Sequence, residues 1–374
     1  MIRVLVVDDS ALVRKLFGQI FAAEPDFEVQ FARNGVEALD QLRHFEPDVV
    51  TLDVHMPQMD GLACLDRIMV ERPSRVVMVS SLTEAGAEAT LEALRLGAVD
   101  FVAKPQGAVS LRIGEMAPEL VHKVRAAAQA KLKSSLRLTE RVRHRIGGSP
   151  SASAGLPLQR STGTARRPAT RKEVAGDCSH DASSGQGVVL VGTSTGGPPA
   201  LEALLAPLPA DFPWPILVAQ HMPVSFTGPL AHRLDRLCAL TVTEVTQPVR
   251  LTPGNVYIGR GEADLIVSRR STGLVAMAAP ALPGYPWHPS TDRLVSSAMD
   301  HLPSTCLIGV LMTGMGYDGA AAMAMLHAQG GRTIAEAEET AVVWGMPGEL
   351  VKAEGADWIL PLPKIAHRLQ MLVS

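Results

Sequence analysis

The stretch VLVVDDSALVRKLFGQIFA, residues 4–22, decides the fold of the first part of the chain. Its opening apolar run, residues 4–7, is typical of a strand buried on both faces of a sheet, and residues 11–22 repeat their apolar positions at helical spacing. Two carboxylates, Asp8 and Asp9, stand between these segments. The stretch therefore predicts one β/α unit with a polar turn at the carboxyl end of a buried strand.

The same alternation continues along the first third of the chain. Further buried strands are predicted at 29–31, 49–52, 76–79 and 101–103, and helices at 36–45, 62–70, 84–96 and about 115–145. Such a succession of β/α units predicts a doubly wound parallel sheet of the flavodoxin type, because right-handed crossovers place successive strands side by side. Its functional site is expected at the carboxyl ends of the strands.

A second α/β block begins at residue 187. Parallel strands are predicted at 188–191, 216–219, 307–312 and 332–334, and helices at 198–208, 225–237 and 319–329. Four short segments between Pro/Gly turns, at 241–245, 256–258, 265–267 and 274–276, predict a meandering antiparallel insertion. The predicted fold class is α/β, with two doubly wound parallel-sheet domains, the second Rossmann-like.

The segment between the two blocks has a different composition. Of the 41 residues in 147–187, 20 are Gly, Ser, Thr or Pro, so it cannot bury enough apolar surface to offset its ordering entropy. A flexible linker is predicted, with a long surface loop as the alternative. The predicted domains are 1–122, a basic helix and linker at 123–186, and 187–374.

Net charge becomes informative when it is divided by position. The total is −3, but residues 121–187 hold 13 Lys/Arg against 4 Asp/Glu, or +9, which leaves −12 elsewhere. A basic connector can indicate binding to DNA, yet 121–187 has no helix-turn-helix pattern. We therefore expect no nucleic acid partner.

The remaining global features concern compartment. There is no run of 18 apolar residues, and acids stand where a signal peptide needs its apolar core. The four cysteines form no CxxC pair. These features predict a reduced cytoplasmic chain without direct membrane insertion.

Charged residues follow three predicted strands of the first block. Asp8 and Asp9 end the first strand, Asp53 the third, and Lys104 the fifth. Carboxylates held together repel one another unless a cation joins them, and oxygen ligands favour Mg²⁺. Asp53 is then a candidate nucleophile toward phosphorus, with Mg²⁺ and Lys104 neutralising the developing charge.

Two further residues are candidates for the response to a phosphate. Ser80 ends the fourth strand, where its hydroxyl could bind the phosphate, and Phe101 begins the fifth, where its ring could repack. Each of these signals is also compatible with ordinary turns and surface residues. Their order and spacing together favour a phosphate switch.

The first turn of the second block carries a serine. Gly192, Ser194 and Gly196 satisfy GxSxG between a strand and a Pro-initiated helix, which predicts a nucleophilic hydroxyl at a helix N-terminus. A phosphate or dinucleotide loop is the alternative, although G-x-G-x-x-G is absent and the next strand does not end in an acid.

The ends of two other strands supply partners for that serine. His221 follows the strand at 216–219, and Asp318 lies in the glycine-rich loop after 307–312. The predicted triad is Ser194 as nucleophile, His221 as general base and Asp318 as the group that orients the imidazole. Asp292 and Asp300 compete with Asp318, which could also be a simple helix cap. An N–H near Met315 is a candidate oxyanion donor.

Residues 1–122 resemble the response-regulator receiver domain. The resemblance lies in four motifs: VVDDSALVR, TLDVHMPQMDGL, MVSSLT and FVAKP. The resemblance implies phosphorylation of Asp53 by a histidine kinase. It also implies metal binding by Asp8, Asp9, Asp53 and a backbone carbonyl near His55, with signalling through Ser80, Phe101 and Lys104.

The second block also resembles a known family. Residues 187–372 are similar to the catalytic domain of CheB-type protein-glutamate methylesterases. The similarity lies in five motifs: VGTSTGGPPALE, SFTGPLAHRLD, LTPGNVYIG, GVLMTGMGYDGA and VVWGMPGE. This implies hydrolysis of glutamate γ-methyl esters on cytoplasmic helices of chemoreceptors, releasing methanol, and often glutamine deamidation. It implies no cofactor in the esterase site, and a receiver that covers this site until it is phosphorylated. Ser194, His221 and Asp318 align with the family's triad.

Two segments depart from the family pattern. The family commonly has an Arg-Pro-Ser-Val-Asp stretch preceded by His, and this chain has Trp287-His288-Pro289-Ser290-Thr291-Asp292 there. Near the middle hairpin the family commonly has Asp-Arg-His, and this chain has Glu262-Ala263-Asp264. The departures spare the triad and concern substrate recognition. The alternative function is a response regulator whose second domain is a non-catalytic binding module.

Overall fold

A computed structural model describes residues 1–104, 113–132 and 187–373 of the chain. Most of the predicted linker, and the predicted helix beyond residue 132, lie outside the described residues. The three domain boundaries therefore stay a prediction. No helix in the described ranges is long and apolar enough to cross a membrane.

The first block folds into a five-stranded sheet with the order β2-β1-β3-β4-β5, and every neighbouring pair is parallel. Strand order reverses between β1 and β3, which opens the crevice in which such sheets hold their ligands. The strands are β1 (Ile2–Val7), β2 (Phe27–Ala32), β3 (Val49–Asp53), β4 (Arg75–Ser80) and β5 (Asp100–Ala103). The helices are α1 (Ala11–Ala22), α2 (Gly35–Phe45), α3 (Gly61–Glu71), α4 (Glu84–Leu96) and α5 (Ile113–Gln129).

The helix boundaries of this block follow local chemistry. Each of α1 to α4 begins after a residue whose side-chain oxygen accepts a backbone N–H of the first turn. These caps satisfy N–H groups that have no partner within the helix. They are Ser10, Asn34, Asp60 and Thr83.

The second block has a seven-stranded parallel sheet, ordered β15-β14-β13-β6-β7-β10-β8, and a three-stranded antiparallel sheet, ordered β11-β12-β9. Its strands are β6 (Val188–Thr193), β7 (Ile216–Gln220), β8 (Thr241–Val245), β9 (Val249–Arg250), β10 (Asn255–Gly259), β11 (Ala263–Arg270), β12 (Gly273–Pro280), β13 (Leu307–Leu311), β14 (Arg332–Glu336) and β15 (Trp358–Leu360). Its helices are α6 (Gly197–Leu205), α7 (Val224–Leu237), α8 (Thr291–Met299), α9 (Ala320–Ala328), α10 (Met346–Lys352) and α11 (Leu362–Val373).

The fold class and the antiparallel insertion are confirmed, but the assignment of two strands to that insertion is wrong. β8 and β10 pair in parallel with each other, and β10 pairs in parallel with β7, so both extend the large sheet. Only the predicted strands at 265–267 and 274–276 lie in the antiparallel sheet, as parts of β11 and β12. β8 is an edge strand with alternating exposed and buried residues, and this alternation resembles that of an antiparallel strand.

The α4–β5–α5 face of the first block packs against the second block. The rings of Phe101 and Phe226 lie 4.3 Å apart, centroid to centroid. Arg233 of α7 pairs with Glu92 of α4 at 3.5 Å and also with Glu202 of α6. On the side of the first block the contact involves the start of β5, and on the side of the second block it involves α7.

Candidate active site and phosphoacceptor site

The predicted acidic cluster forms at the crevice between β1 and β3. One carboxylate oxygen from each of Asp8, Asp9 and Asp53 lies within 4.8 Å of the others. Asp8 and Asp53 are buried, whereas Asp9 is exposed. Asp8 Oδ2 is buried, and the Lys104 ammonium lies 2.9 Å from it. Three carboxylates this close together supply the oxygen ligands that suit a hard divalent cation such as Mg²⁺.

Lys104 holds this cluster together. Its Nζ is 2.8 Å from Asp53 Oδ2 as well as 2.9 Å from Asp8 Oδ2. Burial raises the pKa of Asp53, and the neighbouring Asp8 charge adds to this, although Lys104 opposes it. Burial acts to lower the pKa of Lys104, but the two carboxylates outweigh it and the pKa is raised. The charge on Asp53 is thus poorly compensated, as suits a group that gains from a cation.

The two predicted response residues are engaged elsewhere. The Ser80 hydroxyl is fully buried and donates to the Gly86 carbonyl at 3.0 Å, so it is not free to bind a phosphate in this arrangement. The Phe101 ring is buried against Phe226, and the Lys123 ammonium lies 4.8 Å from its centroid.

The turn from β6 to α6 places Ser194 at the carboxyl edge of the second sheet. Ser194 N–H donates to the Thr313 carbonyl at 3.0 Å, which ties the turn to the loop after β13. Gly197 approaches the next strand so closely that a Cβ would lie 1.9 Å from Gln220 Oε1. Gln220 Nε2 in turn donates to the carbonyls of Ser194 and His221, at 3.1 and 3.0 Å. This amide joins the serine and histidine loops, and no sequence pattern predicts that role.

The structure brings His221 and Asp318 together. His221 Nε2 and Asp318 Oδ2 are 2.8 Å apart, and both side chains are buried. Asp318 also accepts from the Ser290 hydroxyl and from the N–H groups of Thr291 and Asp292 at the start of α8. Burial acts to raise the pKa of Asp318, but His221 and these N–H groups outweigh it and lower the pKa. The carboxylate is therefore held in its charged form.

This pairing leaves Nδ1 as the free nitrogen of the imidazole. His221 Nδ1 is buried and has no hydrogen-bond partner among the described residues. Because Asp318 occupies Nε2, a proton from a nucleophile can be accepted only at Nδ1. Ser194 and His221 line the same cavity, whose volume is about 370 Å³.

The carboxylates of the competing aspartates have other surroundings. Asp292 accepts from the Ala322 N–H at 2.9 Å, and burial raises its pKa. Asp300 is the exposed residue that ends α8. Met315 lines the cavity with Ser194, and its N–H has no acceptor among the described residues. The structure thus leaves a donor available at the position predicted for oxyanion binding.

The first block forms one wall of this cavity. Asp100 of β5 and three residues of α5 face Ser194 and His221 across it: Glu119, His122 and Lys123. Thr195, which follows the candidate nucleophile, donates its hydroxyl to Asp100 Oδ2. The receiver-like block therefore covers the candidate active site.

The segments that depart from the family pattern form another wall. Glu262, Trp287 and His288 all line the cavity. His288 Nδ1 lies 2.9 Å from Oδ1 of the fully buried Asp264, which also pairs with Arg293. The sequence predicts that these residues take part in substrate recognition, but only the fold shows that they line the same cavity as His221.

Comparison with known proteins covers both blocks. Residues 4–113 match the response regulator receiver domain, and residues 189–369 match the CheB methylesterase family. "Protein-glutamate methylesterase/protein-glutamine glutaminase 2" of Rhodopseudomonas palustris is 57% identical over 98% of this chain and 96% of its own length. "Protein-glutamate methylesterase/protein-glutamine glutaminase 3" of Rhodospirillum rubrum is 50% identical over 100% of this chain and 97% of its own length.

Among solved structures, the CheB methylesterase catalytic domain of Thermotoga maritima is 37% identical, with a TM-score of 0.48. The match covers 50% of this chain and 98% of that one. The full-length identity and the two domain matches agree with the geometry of both sites. The chain belongs to the CheB methylesterase family, with a response-regulator receiver domain ahead of its methylesterase domain.

Proposed function

We propose that this chain hydrolyses glutamate γ-methyl esters on the cytoplasmic helices of chemoreceptors and deamidates receptor glutamine. The observation that carries the proposal is the buried His221–Asp318 pair, whose unpartnered Nδ1 shares a cavity with Ser194. The names of the full-length relatives support both activities. The match to the CheB methylesterase family supports chemoreceptors as the substrates.

In the first half-reaction Ser194 Oγ attacks the γ-carbonyl carbon, and its proton passes to His221 Nδ1. The negative charge that forms on the carbonyl oxygen is positioned to bind the Met315 N–H. Asp318 stabilises the imidazolium through Nε2. The imidazolium then returns the proton to the departing methoxide, so that methanol leaves and an acyl-serine remains.

In the second half-reaction a water molecule attacks the acyl-serine and gives a proton to His221 Nδ1. The proton returns to Ser194 Oγ as the C–O bond breaks, and glutamate is released. With glutamine as substrate the same sequence releases ammonia in the first half. Every proton movement uses the chain's own residues, and we assign no metal or cofactor to this site.

We further propose that Asp53 accepts a phosphoryl group from a histidine kinase, with Mg²⁺ held by Asp8, Asp9, Asp53 and the backbone carbonyl near His55. A Mg²⁺ ion held by these residues would supply positive charge to neutralise the phosphoryl oxygens. The burial of Asp53 and the convergence of the three carboxylates support this assignment. Lys104 is positioned to bind the phosphoryl group once it forms.

Strand β5 is a direct physical link between the two sites. Lys104 follows its carboxyl end and contacts Asp53, while Asp100 and Phe101 at its start contact Thr195 and Phe226. A phosphoryl group that draws Lys104 and the Ser80 hydroxyl toward Asp53 would displace this strand. Phosphorylation would then favour an arrangement in which the receiver leaves the cavity.

The test is methanol release from a methylated receptor fragment by the full chain, with and without the phosphodonor acetyl phosphate. Ser194→Ala should lose hydrolysis while its circular dichroism spectrum is unchanged. Retained turnover would show that the nucleophile is wrong. A serine-reactive phosphonate should label the phosphorylated wild type at Ser194; absence of label and of turnover would favour a non-catalytic binding module.

Removal of divalent cations separates the two sites. EDTA should abolish the stimulation by acetyl phosphate and leave basal ester hydrolysis intact, because only the receiver site is assigned a metal. Added Mg²⁺ should restore stimulation. A loss of basal hydrolysis on EDTA treatment would contradict the metal-free esterase site.

A further inference from the structure

An indole ring lies against the face of the candidate catalytic base. The His221 and Trp287 rings are nearly parallel, with an interplanar angle of 2° and centroids 5.6 Å apart. Trp287 is half-buried in the cavity wall. The contact lies on the face of the imidazole, so it leaves both ring nitrogens free for other partners.

The indole is itself fixed by the loop that carries Asp318. Tyr317 packs edge-on against it, at 82° and 5.1 Å between centroids. Gly316 has φ +83°, and a Cβ on it would lie 2.8 Å from Trp287 Cζ2. The loop therefore approaches the indole as closely as a residue without a side chain allows. One loop thus provides both the carboxylate that holds His221 and the support for the ring stacked on it.

The hydrogen bond to Asp318 alone does not define the plane of the imidazole. A ring held at Nε2 can still turn about that bond and change the direction in which Nδ1 points. A parallel aromatic face opposes this rotation, and it attracts the imidazolium more strongly than the neutral ring.

We propose that Trp287 is a positioning residue for His221: its indole holds the imidazole plane so that Nδ1 faces Ser194, and it stabilises the imidazolium formed during catalysis. This proposal rests on the proposed function, since it assigns His221 as the base. It gives Trp287, one of the residues that depart from the family pattern, a role in catalysis that acts through His221.

Other titratable groups share the cavity and could affect a pH profile. On the methylesterase side these are Asp318, Glu262 and His288, and on the receiver side Asp100, Glu119, His122 and Lys123. Asp318 directly contacts His221. The receiver groups are expected to leave when Asp53 is phosphorylated, so kinetic measurements should be made with acetyl phosphate present.

The kinetic test uses a peptide with a glutamate γ-methyl ester and the variants Trp287→Leu and Trp287→Phe. Trp287→Leu should lower kcat about tenfold with KM unchanged, and Trp287→Phe should recover part of this loss because it keeps an aromatic face. The acidic limb of the kcat/KM profile should move to lower pH in Trp287→Leu, because the imidazolium loses a stabilising contact. A rise in KM with an unmoved limb would overturn the proposal, since it would mean that Trp287 only contacts substrate.

A fluorescence titration tests the contact without turnover. A protonated imidazole quenches indole emission, so the emission of the wild type minus that of Trp287→Phe should fall as pH is lowered. His221→Gln should abolish this fall, whereas the control variants His288→Gln and His122→Gln should retain it. Loss of the fall in either control instead of in His221→Gln would overturn the proposal.

The titration also separates this proposal from the proposed function. If Ser194→Ala stayed active, the assigned reaction would fail while the quenching by His221 could persist. If Trp287→Leu did not fold, the titration of the wild type and Trp287→Phe would still decide whether the indole senses His221.

Discussion

Asp53 and Asp318 are both buried carboxylates at the carboxyl edge of a parallel sheet, but their surroundings differ. Asp318 accepts hydrogen bonds from His221, Ser290 and two backbone N–H groups, which lower its pKa despite burial. Asp53 has mainly Lys104 to oppose burial and a neighbouring Asp8, and its pKa is raised. Asp318, which must stay charged, is thus surrounded by hydrogen-bond donors, whereas Asp53, which is proposed to react, has few.

The largest expected effect follows from removing the charge on Asp318. Asp318→Asn should lower kcat for the methyl ester by about 10⁴-fold, because the imidazole loses the partner that sets its tautomer and stabilises its positive charge. The assay is methanol release at saturating substrate.

Asp292→Asn is the matched control, since Asp292 is a nearby aspartate that contacts Ala322 N–H rather than His221. The factor by which Asp292→Asn lowers kcat should be less than about a hundredth of the factor for Asp318→Asn. Equal losses in the two variants would show that the assigned third member is wrong.

The next effect concerns the receiver carboxylate. Asp53→Ala should lose all stimulation by acetyl phosphate and keep the basal rate, because the phosphoacceptor is absent while the triad is untouched. Asp48→Asn, at the exposed residue immediately before the same strand, should retain stimulation. If stimulation survives in Asp53→Ala, the phosphoacceptor lies elsewhere.

A smaller effect is expected at the contact between the blocks. Phe226→Ala removes the ring that packs on Phe101 and should raise the unphosphorylated rate about two- to tenfold, the range expected for one aromatic pair. With acetyl phosphate present, the variant and the wild type should have equal rates. A variant slower than the wild type in both conditions would indicate damage to the active site rather than release of the receiver.

The smallest effects are on stability, and they should have opposite signs. Asp318→Asn should lower the melting temperature at pH 7, whereas Asp53→Asn should raise it, each by about a few degrees. The lowered pKa of Asp318 provides stability that is present above its unfolded pKa and is lost as pH falls through its folded pKa. The raised pKa of Asp53 disfavours folding above its folded pKa, and this penalty disappears as pH falls.

Thermal melts of both variants and the wild type in metal-free buffer, from pH 3 to 8, would check these signs. The difference between wild type and Asp53→Asn should shrink as pH falls. Two variants that shift in the same direction would contradict the contrast between the sites.

Much of both candidate sites could be predicted because their residues follow buried strands. Asp8, Asp53 and Lys104 each end an apolar run, and parallel strands bring such ends together. The same reasoning predicted that His221 and Asp318 lie close together. It could not identify Gln220, whose amide joins two loops, because a glutamine at a strand end carries no distinctive local pattern.

The sequence by itself determined two α/β blocks, the chemistry at their strand ends and the kind of reaction each end supports, because apolar periodicity and local motifs are properties of neighbouring residues. Only the tertiary structure decided that β8 and β10 extend the parallel sheet, that Nδ1 is the free nitrogen of His221, and that α5 and Trp287 line its cavity. Those facts depend on which distant segments meet. Periodicity records that a residue is buried, but not which residue buries it.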